Sequence, residues 1–168
     1  GILDLVTAGE NGLGGAATIR LGAGNGTFGA ATVVVTEVAL SNDVILGDLN
    51  ADGSLDLITT GHDNSTGWTT VRLGAGNGTF GAARSYAAES AASSGVTLGD
   101  LNGDGILDLV TSGDSGASGW ATVRLGVGGG TFGTARSYAA EGNFTNTGPQ
   151  LGDLNGDGDT DDAGLELL

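Results

Sequence analysis

Three stretches of the sequence place oxygen-bearing side chains at alternate positions of a glycine-broken loop: GDLNADGSLDLI (47–58), GDLNGDGILDLV (99–110) and GDLNGDGDTDD (152–162). With Asp100 as position 1, Asn102 is 3, Asp104 is 5, Ile106 is 7 and Asp108 is 9. The same count gives Asp48, Asn50, Asp52, Ser54 and Asp56, and then Asp153, Asn155, Asp157, Asp159 and Asp161. Oxygens spaced in this way on a tight loop can converge on one centre. Position 7 needs only a backbone carbonyl, so Ser, Ile or Asp can all stand there. Glycine at position 6 allows the sharp turn. A donor set of carboxylate, amide and carbonyl, without His or Cys, selects Ca²⁺ over zinc or copper. Mg²⁺ fits less well, since it keeps several waters. The opening GILDLV is the second half of the same phrase, with Asp4 at position 9. The predicted cofactor is therefore Ca²⁺, in three complete loops and one half loop.

No loop is a complete EF-hand. Position 12 would fall on Thr59, Thr111 or Gly164, where the bidentate Glu is missing, and the flanks are strand-like. The competing reading is a set of plain Asp/Asn/Gly turns, which these residues favour without any metal. Three copies in register weigh against it, because their stacked carboxylates repel one another unless a cation neutralises them.

The elements that must hold these loops form a repeat. Counted from the glycine at position 6, units run 1–52, 53–104 and 105–157, with a stub at 158–168, all in one repeat domain (1–168). ATIRLGAGNGTFGAA (17–31), TTVRLGAGNGTFGAA (69–83) and ATVRLGVGGGTFGTA (121–135) align, as do Trp68 with Trp120 and Tyr86 with Tyr138; Arg20, Arg72 and Arg124 share one position. Leu55–Thr60 and Leu107–Ser112 are short apolar runs, and Thr70–Leu73 alternates at period two. Asn-Gly in GAGNGTFG (74–81) signals a hairpin whose two turn residues both take positive φ. Arg84–Ala87 and Val96–Leu98 complete four strands in about fifty residues, the size of one propeller blade. Only AAESAASS (87–94) is weakly compatible with a helix.

Composition narrows the function classes. The net charge is −15, with five basic residues that are all Arg, which argues against nucleic acid and anionic membranes and favours cations. There is no Cys, hence no disulfide framework or thiolate chemistry, and no apolar run long enough to span a bilayer. With 39% hydrophobic residues the chain is too apolar for disorder, and with 5% aromatics its core must be built from Val, Leu, Ile and Ala. No signal peptide is evident. The first residue is Gly1 rather than Met, which reads as a mature fragment or an excerpt.

D-x-N-x-D-G-x-x-D-L-V followed by V-R-L-G-x-G-x-G-T-F-G resembles the FG-GAP/VCBS repeat, the blade of integrin-α-type β-propellers and of many secreted bacterial proteins, over almost the whole chain. The resemblance implies an all-β architecture of tandem four-stranded antiparallel blades, with Ca²⁺ in the hairpin between strands 1 and 2. In that scheme Val96–Asp100, Leu107–Ser112, Ala121–Leu125 and Arg136–Ala139 are strands 1 to 4 of a blade, and Phe28, Phe80 and Phe132 pack between blades. Unit one then has strands 2 to 4 without strand 1, while the C-terminal residues supply strand 1, a loop and a weakened strand 2, since Thr160 replaces the Leu at 3, 55 and 107. Three blades do not close a ring, which normally takes four to eight. The expected partners are accordingly copies of the chain or neighbouring repeats, joined through open strand edges. Asp161 would make Asp4 redundant at such a joint, and Leu165–Leu168 is open between a terminal strand and a docking tail.

Four sequons, at Asn25, Asn64, Asn77 and Asn143, fall in predicted turns and are candidate glycan acceptors. Catalysis has little to stand on. His62 is the sole His and reads as a solvated loop residue, and the paired carboxylates are the ones a cation would occupy. GAGNGT lacks the Lys of a phosphate loop. Trp68 and Trp120 could stack on sugars, but blade packing is the simpler role. The leading reading is a non-enzymatic, extracellular or cell-surface module, stabilised by calcium and assembling into a scaffold, filament or adhesin. The alternative is a propeller domain of a larger secreted protein that binds glycans or cell-surface proteins.

Overall fold

A computed structural model describes residues 1–36, 39–63, 65–88, 92–114, 118–140 and 148–153. Thirteen strands and no helix occur among them. Strands β1 (Leu5–Glu10), β2 (Gly15–Arg20) and β3 (Thr32–Val35) form a three-stranded sheet in that order. Strands β4 (Leu40–Gly47), β5 (Asp56–His62), β6 (Gly67–Arg72) and β7 (Arg84–Ala87) form a four-stranded antiparallel meander. The next sheet repeats it with β8 (Ala92–Gly99), β9 (Asp108–Asp114), β10 (Gly119–Arg124) and β13 (Arg136–Ala140). A small hairpin, β11 (Gly126–Gly128) and β12 (Thr131–Phe132), rises between the last two strands, and the bridges Gly22–Phe28 and Gly74–Phe80 mark its counterparts in the earlier sheets. The chain is thus an all-β run of blades, the first with three strands. Residues 92–94 open β8, so the weak helical signal over 87–94 loses to strand pairing there.

The second blade is sandwiched, which explains its composition. Residues 56–61 of β5 are buried without alternation because a neighbouring blade lies on each face, and residues 108–113 of β9 are buried in the same way. Strand β4 packs against β1, and β8 packs against β4, β5 and β6. Between the second and third blades Leu49, Ile58, Val71, Val96, Leu109 and Phe132 form the core, with Leu98 and Tyr86 at its border. Glycine lets the innermost strands approach: a Cβ on Gly47 would lie 2.5 Å from Leu98 Cδ1. Polar residues in these interiors pair across strands, as Thr70 does with Ser85 (3.2 Å between hydroxyls) and Thr122 with Ser137 (3.3 Å).

Aromatic packing follows the neighbours available. Phe132 is buried, its ring meeting Tyr86 of the preceding blade edge-on at 5.6 Å between centroids. Phe80 is half-buried against a blade that carries Val34 at the tyrosine position. Phe28 is 44% exposed, since no blade precedes its own among the described residues. Inter-blade packing thus holds for Phe132 and fails for Phe28.

The hairpin tips also differ from expectation. Among the described residues the only non-glycine with positive φ is Ala51, so neither Asn25 nor Asn77 is left-handed. Instead the flanking glycines Gly24, Gly26, Gly76 and Gly78 carry the positive φ. Asn77 Oδ1 accepts from Thr79 N (3.0 Å) and Thr79 Oγ1 (2.6 Å), and Asn25 does the same with Thr27. A side-chain-to-backbone turn here takes the place of the tight two-residue hairpin turn.

Candidate metal centre

The loops at 48–56 and 100–108 join the first and second strands of their blades and carry the same bonds residue for residue. Asp48 Oδ1 accepts from Asp52 N (3.2 Å) and its Oδ2 from Gly53 N (2.9 Å). Asp100 does so from Asp104 N (3.1 Å) and Gly105 N (2.8 Å). Asn50 and Asn102 each accept from the position 5 N–H and donate Nδ2 to the position 5 carboxylate, at 2.8 and 2.9 Å. Position 5 closes the turn, with Asp52 Oδ1 accepting from Ser54 N (2.7 Å) and Asp104 Oδ1 from Ile106 N (2.8 Å). The Ser54 backbone N–H, and then the Asn50 amide, hold the Asp52 carboxyl below its ordinary pKa, against a small opposing effect of burial. Gly53 and Gly105 take φ of 83° and 81°, the left-handed turn that position 6 requires.

Position 9 does something else. Asp56 and Asp108 are wholly buried. Asp56 Oδ2 accepts from Leu49 N and its Oδ1 from Gly74 N, both at 2.8 Å. Asp108 takes Leu101 N at 2.8 Å and Gly126 N at 2.7 Å, and Asp4 takes Gly22 N at 2.8 Å. This carboxylate therefore pins the loop to the chain just beyond the blade's third strand. The glycine it grips has no room for a side chain, since a Cβ on Gly22 or Gly74 would lie 2.1 Å from the carbonyl oxygen of Leu3 or Leu55. The pin was not read from the sequence. Its trace there is the invariant distance from position 9 to the Gly of the L-G-x-G motif in all three units: 4 to 22, 56 to 74, 108 to 126.

Among the described residues no group of three or more His, Cys, Asp or Glu side chains converges as a metal cage. Position 3 is an amide, and position 9 faces the backbone. The donor set still fits a hard cation: every carboxylate oxygen named accepts one N–H and has a lone pair left. Asp153 lies in the described residues, whereas Asn155, Asp157, Asp159 and Asp161 lie outside them, as do Asn64, Asn143 and the 158–168 stub. Asn25 and Asn77 are exposed at hairpin tips. His62 is the last residue of β5, half-buried and opposite Leu40 and Gly67, so it is a strand residue rather than a solvated loop residue. Trp68 is half-buried, and its indole N–H reaches Asp63 Oδ2 at 3.3 Å.

The recurring Arg explains itself once the blades are in place. Arg72 Nη1 donates to Gly81 O of its own blade (2.9 Å) and Nη2 to Val35 O of the preceding one (3.1 Å). Arg124 repeats this with Gly133 O (3.0 Å) and Ala87 O (2.8 Å), and its guanidinium lies 5.4 Å from the centre of the Tyr86 ring. Arg20 makes the first bond, to Gly29 O at 2.9 Å.

The model of the FG-GAP-like repeat matches residues 1–59 and again 48–111. The chain belongs to the FG-GAP-like repeat family. Both matched spans contain whole acidic loops or parts of them, together with the strands that carry them, and the all-β blades agree with the family. Repeats of this family are typically structural or binding units and often occur in extracellular proteins. No helix among the described residues is long and apolar enough to cross a membrane. Among curated proteins, none matches the chain in sequence.

Proposed function

We propose that this FG-GAP chain is a calcium-stabilised, extracellular structural module, non-enzymatic, that joins with copies of itself or neighbouring repeats. The observation that carries the proposal is the bond-for-bond identity of the loops at 48–56 and 100–108. Each loop spends its own N–H groups on orienting carboxylate oxygens, so the unbound lone pairs are held in place rather than left to wander. Ca²⁺ would be held by Asp48, Asn50, Asp52, the Ser54 carbonyl and Asp56, and by Asp100, Asn102, Asp104, the Ile106 carbonyl and Asp108. The same reading extends to Asp153 and the loop that follows it, with Asp4 contributing position 9 of a further site. Bound calcium supplies charge neutralisation and cross-links the first hairpin of each blade. Asn25 and Asn77, exposed at the tips of the hairpins that follow β2 and β6, are proposed as glycan acceptors.

Isothermal titration of the chain with Ca²⁺ tests the proposal. Asp100→Asn combined with Asp104→Asn should remove one site from the stoichiometry and leave the others. No heat above dilution, or a stoichiometry indifferent to that double substitution, contradicts it.

A further inference from the structure

Among the described residues, the faces at the two ends of the run of blades carry, exposed, the residues that clamp the second and third blades together. Where the second and third blades meet, Tyr86 takes Phe132 edge-on, accepts from Phe132 N (3.2 Å) through its hydroxyl, and lies beneath Arg124, whose Nη2 bonds Ala87 O. The repeat places the same parts on opposite ends of the run. Tyr138 (43% exposed) and Ala139 stand on the third blade, where Tyr86 and Ala87 stand on the second. Phe28 (44% exposed) and Arg20, also exposed, stand on the first blade, where Phe132 and Arg124 stand on the third. The joint between the first and second blades has Val34 in place of the tyrosine, so these outer faces match the aromatic joint rather than the plainer one.

The strand edges agree with the faces. Within the described residues β1 pairs only with β2, on one side. Residues 148–153 lie where the first strand of a following blade belongs. Leu151 sits over Gly99, with its Cδ1 2.7 Å from a Cβ built there, as Leu98 sits over Gly47. In this alignment Pro149 falls at the position of Val44 and Val96. The N–H groups of those two valines go to the Asp43 carboxylate (2.8 and 3.1 Å) rather than into the ladder, so a proline there costs no ladder bond.

We propose that the third blade of one copy docks on the first blade of a second copy, head to tail. Tyr138 and Ala139 of one copy then take Phe28 and Arg20 of the next, and residues 148–153 lie along the next copy's β1. The proposal rests on the assembly half of the function proposed above and not on its calcium half. Such a contact is heterologous, so it propagates to rings or filaments rather than stopping at a symmetric pair.

Sedimentation of the full chain in millimolar calcium is the test. Assemblies should grow with concentration in steps of the 16.2 kDa protomer. Tyr138→Glu should reduce them to monomer, and Tyr138→Phe should leave them intact. Each variant's melting curve reports on folding separately, the side chain being half in solvent. Because Tyr138→Glu retains the Phe28 face, adding it to wild type should cap and shorten the assemblies, which a symmetric contact would not allow. A 16.2 kDa monomer at every concentration, or Tyr138→Glu assembling like wild type, overturns the proposal. Calcium titration of the Tyr138→Glu monomer separates the two halves: absence of binding there would sink the cation reading and leave the joint standing.

Discussion

Replacing Asp108 by Asn keeps the shape of the buried pin and changes its chemistry. In the native blade the two Asp108 oxygens accept at 2.7 Å from Gly126 N and 2.8 Å from Leu101 N. Hydrogen bonds to a charged acceptor each contribute about 1.5–3 kcal/mol. An asparagine keeps one bond, now to a neutral acceptor, and turns an NH₂ group toward the other N–H. That N–H is left without a partner in a site with no exposure, at a cost of about 1–3 kcal/mol. Relief from burying a charge offsets part of the loss, leaving about 3 kcal/mol. For a chain of this length that lowers the melting temperature by about 6–12 °C. The assay is thermal unfolding followed by circular dichroism in EGTA, where no cation contributes. Because the pin works through backbone N–H groups, the loss should appear in full without calcium. An Asp108→Asn protein that melts with wild type in EGTA and falls behind it only when calcium is added would refute the reasoning, making position 9 purely a ligand.

Other outcomes follow from neighbouring features. Ala51 sits at φ 60° where the equivalent loop has Gly103 at φ 72°, so Ala51→Gly should stabilise and Gly103→Ala destabilise, each by about 1 kcal/mol in urea unfolding. Arg124→Lys cannot span Gly133 O and Ala87 O together or keep the flat contact with Tyr86, and should cost about 1 kcal/mol, read by the same melt. Asp63 is held down to about 2, first by the Ser65 hydroxyl, then by the Thr66 and Ser65 N–H groups and the Trp68 indole. A depressed carboxylate contributes stability that is present above the unfolded value near 3.8 and lost as pH falls through the folded one. Stability should therefore decline between those values, with Trp68 fluorescence in a Trp120→Phe background shifting at a midpoint near 2. Asp63→Asn should abolish that shift.

Much of the architecture was legible because the repeat states it three times. The acidic loops and the short strands follow from spacing and the strand order from the family resemblance, and β8, β9, β10 and β13 lie within a few residues of the strands expected there. What the sequence did not disclose depends on atoms meeting across long distances in the chain. The grip of Asp56 on Gly74 spans 18 residues, and that of Arg72 on Val35 spans 37, so neither shows in a local pattern. Phe28 and Phe132 occupy one motif position, yet one is exposed and the other buried, because burial depends on the blade next door. Asn77 misled for a different reason. Its dipeptide suits a tight hairpin, but glycines on both sides absorb the positive φ and free the Asn side chain to bond Thr79.

The central claim, that divalent cations tie down the acidic hairpins, is tested most directly by the melting temperature in calcium against EGTA. At about one hundred times Kd each site adds about 2.7 kcal/mol if only the folded chain binds. The loops at 48–56 and 100–108 together should then raise the transition by roughly 10–20 °C. A transition unmoved by calcium across that range would contradict the account.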